Sequence, residues 1–208
     1  MHRAIASSIL SVLACAAFAG NAAAGDGKKK GEHPLFQAQA PIVVTLRAPW
    51  PDVLKPGAEP KPYPAVLGYT DAQGQAHALE ATVETRGITR RRLCRFPPLR
   101  LRFAKGATAD SEFAGQDSLK LVTHCDNAVS FKPYYVEELL AYRIYNLVTE
   151  RSFRARPLEV TYLDPQGGKP NGPRFAFLIE DAGDMATATS SARSCIRNAS
   201  PNWAVAAR

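Results

Sequence analysis

Apolar and polar residues alternate along several short segments, which predicts a protein built mainly from β-strands. The clearest case is residues 79–86, where Leu79, Ala81 and Val83 alternate with charged or hydroxyl side chains, as expected for a strand with one face in water. Turn residues at 71–74 predict that this strand pairs with the one before it, whereas the proline-rich residues 50–64 predict an irregular loop. The predicted strands are 42–47, 67–70, 79–86, 99–103, 118–123, 158–163 and 174–180.

The pattern changes to a helical period at Pro133 and keeps it to about Val148. Val136, Leu140, Ile144 and Leu147 recur at helical spacing and are expected to pack on the sheet. Proline is favourable at a helix start, and Glu137 and Glu138 are expected in the first turn, where the helix dipole favours acids. We therefore predict an α+β fold, with a mainly antiparallel sheet and one long packed helix.

The N-terminus has the pattern of a secretory signal, with Arg3, an apolar run and an Ala22-x-Ala24 ending. We predict a signal peptide at 1–24, cleaved after Ala24, which leaves no transmembrane segment and places the protein outside the cytoplasm, in the periplasm or fully secreted. A lipoprotein acylated at Cys15 is the alternative. A flexible basic arm (25–40), the α+β domain (41–186) and a disordered or out-of-frame tail (187–208) follow.

Three cysteines remain after cleavage, and in an oxidising compartment two of them should pair. Cys94 and Cys125 both flank predicted strands, so we predict a disulfide between them and a free Cys195. A zinc site involving His124 and Cys125 is the competing interpretation, but the spacings of common zinc motifs are missing from the sequence. We predict no metal site here.

The charge of the chain is concentrated in one segment. The 208 residues contain 26 Lys and Arg against 19 Asp and Glu, a net charge of +7, and residues 86–105 hold eight cations and no acid. Arginine binds phosphate in a bidentate manner, so this segment is a candidate strip for polyanions, whereas the alternative is a solvated basic face. Nucleic acid is disfavoured because stacking aromatic residues are few. The candidate polyanion-binding residues are Arg90, Arg91, Arg92, Arg95, Arg100 and Arg102.

A lysine in an apolar strand, Lys120, precedes the predicted helix with its two glutamates, Glu137 and Glu138. Kinase-like folds use a sheet lysine and a helix glutamate to hold nucleotide phosphates. A surface lysine with two capping acids explains the same residues. Serine hydrolase catalysis is not indicated because Gly-x-Ser-x-Gly is missing, and nothing in the sequence marks the carboxylate pair of a glycosidase.

The order of several motifs resembles the spore coat protein CotH family of kinase-like proteins. The motifs are Val83-Glu84-Thr85-Arg86-Gly87, the basic strand 97–103, the apolar strand 119–122, a helix with Leu140-Ala141-Tyr142, and a hairpin ending at Glu180. The resemblance spans about residues 80–185 and implies the N-terminal lobe of a secreted, kinase-like fold that uses ATP and a divalent metal such as magnesium.

By this resemblance, Arg86 and Lys120 would face the nucleotide phosphates, Glu137 or Glu138 would pair with the lysine, and Glu180 would mark the hinge to a second lobe. The catalytic base and metal-binding aspartates would belong to that second lobe, which residues 187–208 do not resemble. We therefore expect a catalytically incomplete protein with affinity for nucleotide or phosphate. The alternative is a non-enzymatic extracytoplasmic module whose arginine strip binds an anionic polymer or envelope surface.

Overall fold

The computed structural model describes residues 33–128 and 132–186, which form seven strands and several helices. A short 3-10 helix, Pro34–Phe36, precedes the first strand, and residues 182–186 form a helical turn after the last one. The other helices are α1 (Trp50–Val53), α2 (Thr89–Leu93) and α3 (Lys132–Val148). The strands are β1 (Ile42–Arg47), β2 (Tyr63–Thr70), β3 (Ala76–Thr85), β4 (Leu99–Phe103), β5 (Ser118–Val122), β6 (Ala155–Leu163) and β7 (Asn171–Ile179).

The seven strands close into a barrel in the order β1-β2-β3-β4-β5-β7-β6. Six neighbouring pairs are antiparallel, and the seventh, between β1 and β6, is parallel, with Ile42 opposite Leu158 and Arg47 opposite Leu163. The predicted α+β fold resembling the N-lobe of a kinase-like protein is therefore wrong. Local alternation identifies residues that lie in strands, but it carries no information on the pairing of β1 with a distant strand.

The interior of the barrel is filled by one side of each strand. Leu67, Leu101, Leu121 and Leu158 are at most 1 % exposed, and their neighbours along each strand point outward, as the pleat requires. At the end where β3 and β5 finish, an aromatic cluster formed by Trp50, Phe96 and Tyr162 closes the core, with ring centroids 4.4–5.4 Å apart. The interior is thus a packed core.

Helix α3 has almost the predicted bounds but packs differently from the prediction. Its one buried residue is Leu139, which joins Val122, Ala155, Phe177 and Ile179 in a second cluster on the outside of β5, β7 and β6.

The predicted packing face of α3 is instead exposed. Val136, Leu140, Ile144 and Leu147 are 38–86 % exposed, so α3 is not the packed helix that was predicted. The contacts with the barrel are made by Tyr135, Leu139 and Tyr142, a second apolar row on the same helix. Glu137 and Glu138 lie in the second turn, because the first turn of α3, which begins at Lys132, contains no acid.

Several predicted boundaries fall outside the residues that the structure describes. The predicted signal peptide (1–24), the first part of the predicted arm and the predicted tail (187–208) all lie there. The rest of the arm differs from the prediction, because Leu35 and Phe36 are buried in the core. No helix within residues 33–128 and 132–186 is long and apolar enough to cross a membrane.

Candidate functional site

Three positive side chains meet on the outer face of the barrel, and we call Arg86, Arg100 and Lys120 the cationic cluster. Arg100 of β4 lies directly opposite Lys120 of β5 in the strand register. Both residues are on the outer face, because the alternate positions of the two strands carry the leucines of the interior. Arg86 follows β3, and its backbone N–H donates to the carbonyl oxygen of Pro98 at 2.8 Å. The strand register therefore brings together three cations that are separated in the sequence.

The side chains of the cluster are partly buried and repel one another. Burial lowers the pKa of Arg86, and the neighbouring positive charges of Arg100 and Arg90 lower it further. Burial also lowers the pKa of Lys120, with Arg86 acting in the same direction and Asp181 against it. The Nε of Arg100 is buried and finds no hydrogen-bond acceptor in the described part of the chain. An anion placed between these groups would relieve the repulsion and satisfy free donors.

Two acidic side chains near the cluster, Glu138 and Glu84, form their shortest ion pairs with other arginines. Glu138 lies 2.7 Å from Arg90, and Glu84 lies 3.2 Å from Arg102 but 4.0 Å from Arg100. Among the residues described, neither Arg86 nor Lys120 has a carboxylate oxygen within 4.0 Å.

The CotH resemblance pairs Lys120 with Glu137 or Glu138 and places Glu180 at a hinge, whereas in the structure Glu180 is paired with Arg154. This carboxylate is 2 % exposed and accepts from the backbone N–H of Arg154 and from two nitrogens of its guanidinium, at 2.7–2.9 Å. Glu180 follows β7 at the strand end, where it fixes the residues that lead into β6. Glu137 is exposed on α3 and is not brought into the site.

Lys120 contacts an aromatic ring that lines a cavity. Its Nζ lies 4.4 Å from the ring centroid of Phe153, a cation–π distance. Phe153, Tyr142 and Tyr145 line a cavity of about 390 Å³ between α3 and the segment that precedes β6, with Glu138 at its wall. Sequence reasoning missed Phe153 and used Tyr142 only as part of a helix motif, since an isolated aromatic residue in a loop or helix gives no periodic signal.

The predicted arginine strip is divided between two surfaces. Arg100 and Arg102 lie on the side of the barrel, on β4, whereas the other four lie in or after α2 at the barrel end. Arg90 turns towards α3 and pairs with Glu138, and Arg91 donates to the carbonyl oxygen of Ala58 at 2.8 Å. Arg92 is exposed, and Arg95 lies 3.5 Å from Asp126. The six residues therefore do not form one continuous strip.

The predicted disulfide between Cys94 and Cys125 is confirmed. It ties the end of α2 to the segment between β5 and α3, next to a backbone hydrogen bond of 2.9 Å from Phe96 to Cys125. The adjacent His124 is 3 % exposed, and burial lowers its pKa to about 4. Over the ranges 33–128 and 132–186, no three His, Cys, Asp or Glu residues are grouped so that they could hold a metal ion.

Comparisons of the chain with family models, with curated proteins and with solved structures find no match in any of the three.

Proposed function

We propose that this protein binds a phosphate-type anion, either inorganic phosphate or the phosphates of a nucleotide, at the cationic cluster. The observation that carries the proposal is the proximity of Arg86, Arg100 and Lys120, of which Arg86 and Lys120 have no carboxylate partner within 4.0 Å among the described residues. Guanidinium groups and an ammonium group are the side chains suited to phosphate. The proposal concerns binding alone and includes no transfer step.

Two sequence predictions accompany this proposal. Export through residues 1–24 would place the site outside the cytoplasm. Membership of the CotH family would add the expectation of ATP with magnesium as the ligand, and the titration below therefore includes both. The site itself depends on neither prediction, because it rests on the charges and register of β4 and β5 and on the position of Arg86.

The experiment is a calorimetric titration of the protein with inorganic phosphate, pyrophosphate and ATP, with and without magnesium. A hydrogen bond to a charged group is worth about 1.5–3 kcal/mol, so Arg86→Ala and Lys120→Met should each weaken binding about 10- to 100-fold. The matched control is Lys105→Ala, which removes an exposed cation beyond the far end of β4. Its affinity should stay within about twofold of the parent.

A second measurement separates a specific site from general attraction to a basic protein. Because a bound anion opposes the repulsion within the cluster, the pKa of Lys120 should rise on binding, which NMR of the lysine side chain can follow. Equal weakening by Lys105→Ala and Lys120→Met would contradict the proposal. So would binding that leaves the Lys120 side-chain resonances unchanged.

A further inference from the structure

A basic groove lies at the end of the barrel, between α2 and the loop that follows α1. It has a volume of about 600 Å³, within the range of ligand sites, and we call it the α2 groove. The loop contributes Lys55, Gly57 and Ala58, and the residues in and after α2 contribute Arg91, Arg92 and Arg95. Its lining does not include Arg86, Arg100 or Lys120, so it is distinct from the cationic cluster.

The groove carries an excess of positive charge. Glu59 is the one acid in its lining, against Lys55 and the three arginines. Arg91 donates a hydrogen bond to the carbonyl oxygen of Ala58, which connects α2 to the loop on the other side of the groove. The side chain of Arg95 is 85 % exposed and lies 3.5 Å from Asp126, so this ion pair is weak. The groove can thus offer several cations to an acidic ligand.

Both walls of the groove are fixed before any ligand arrives. The disulfide at Cys94 holds the end of α2. On the other side, Val53 is buried and the indole N–H of Trp50 donates to the carbonyl oxygen of Leu163 at 3.0 Å, which anchors α1. A prearranged groove loses less conformational entropy when a flexible ligand binds.

The apolar part of the lining narrows the class of ligand. Ile88 and Leu93 are 78 % and 75 % exposed, and both line the groove beside the arginines. Exposed aliphatic side chains of this size next to cations favour a partner that is acidic and partly apolar. The lining contains no aromatic side chain, which disfavours stacked nucleobases.

We propose that the α2 groove binds an extended acidic peptide segment of a partner protein, with aspartate or glutamate on the arginines and Lys55, and an aliphatic side chain on Ile88 and Leu93. The guanidinium of arginine donates two hydrogen bonds to a carboxylate in a bidentate manner, and an extended peptide presents successive side chains on alternate sides. The proposal does not depend on the phosphate site.

The test is fluorescence anisotropy with a fluorescein-labelled peptide of alternating aspartate and leucine. The full chain should bind it, and the double variant Lys55→Glu/Arg92→Glu should weaken binding by about tenfold or more. Leu93→Ser should weaken it about fivefold through lost apolar contact. The matched control Lys105→Glu, at the opposite end of the barrel, should change affinity by less than about twofold.

Three further probes decide between ligand classes. The same peptide with asparagine in place of aspartate should lose binding, and sodium polyphosphate and a uronate oligosaccharide should compete poorly. Equal binding of the asparagine peptide, better competition by either polymer, or an unchanged affinity of Leu93→Ser would overturn the proposal. Arg86→Ala should leave peptide binding unchanged, so a failure here is distinguishable from a failure at the cationic cluster.

Discussion

Removal of the disulfide between Cys94 and Cys125 should cost a large part of the stability of the fold. The bridge closes a loop with a sequence separation of 31, for which the chain-entropy relation gives about 3.7 kcal/mol at 25 °C. Two hydrogen bonds hold the same region without the bridge: Phe96 N–H to Cys125 O at 2.9 Å, and Thr123 Oγ1 to Phe96 O at 2.7 Å. The native geometry should therefore survive in Cys94→Ala/Cys125→Ala, and the loss should arise mainly in the unfolded state.

Urea unfolding followed by circular dichroism measures this loss. With a slope of about 2 kcal/mol/M, the midpoint of the double variant should fall by about 1.8 M. The parent protein reduced with dithiothreitol serves as a second route to the same state and should give the same midpoint. A loss below about 1 kcal/mol, with an unchanged slope, would refute the reasoning and show that the unfolded chain gains little freedom from opening the loop.

Two further predictions concern the packing of the core and the pH dependence of the stability. Leu121→Ala in the barrel should destabilise by about 2–5 kcal/mol, whereas Leu147→Ala on the exposed row of α3 should change stability by less than about 0.5 kcal/mol. Urea unfolding of both variants tests whether the first leucine is buried in the core and the second is exposed. Burial lowers the pKa of His124 to about 4, below its value in the unfolded chain, so unfolding takes up a proton between about pH 4 and 6.5 and stability should fall as the pH drops through that window. His124→Gln should flatten the dependence there, and an unchanged slope would contradict the assignment.

Local patterns in the sequence were sufficient for most of the strands. The bounds of β1 and β4 match the prediction because apolar alternation depends only on neighbouring residues. Barrel closure is not local, since the parallel pair between β1 and β6 joins residues such as Ile42 and Leu158. On α3, two apolar rows compete, and periodicity alone cannot show that Leu139 faces the barrel while Leu140 does not.

The candidate site likewise combines features that the sequence indicates with features that only the assembled fold determines. The CotH resemblance implies that Arg86 and Lys120 face phosphates, and the strand register of the barrel places Arg100 beside Lys120. The arginine partners of Glu138 and Glu180 could not be predicted, because the sequence alone does not show which of its many arginines lies near each carboxylate in the folded chain. Arg90 and Arg154 became the partners through the positions of α2 and β6, which only the assembled barrel defines.

The parallel pairing of β1 with β6 also determines when the chain can finish folding. As synthesis proceeds, β1 to β5 are available before β6, so one edge of β1 and one edge of β5 present unpaired backbone N–H and C=O groups. Such edges are templates for pairing with other chains, and pairing between distant segments is slow. Both edges find their partners only when β6 and β7 have been made. A chain that lacks β7 would leave an edge of β5 unpaired, and the β6–β7 hairpin pairs both β1 and β5 in the complete barrel.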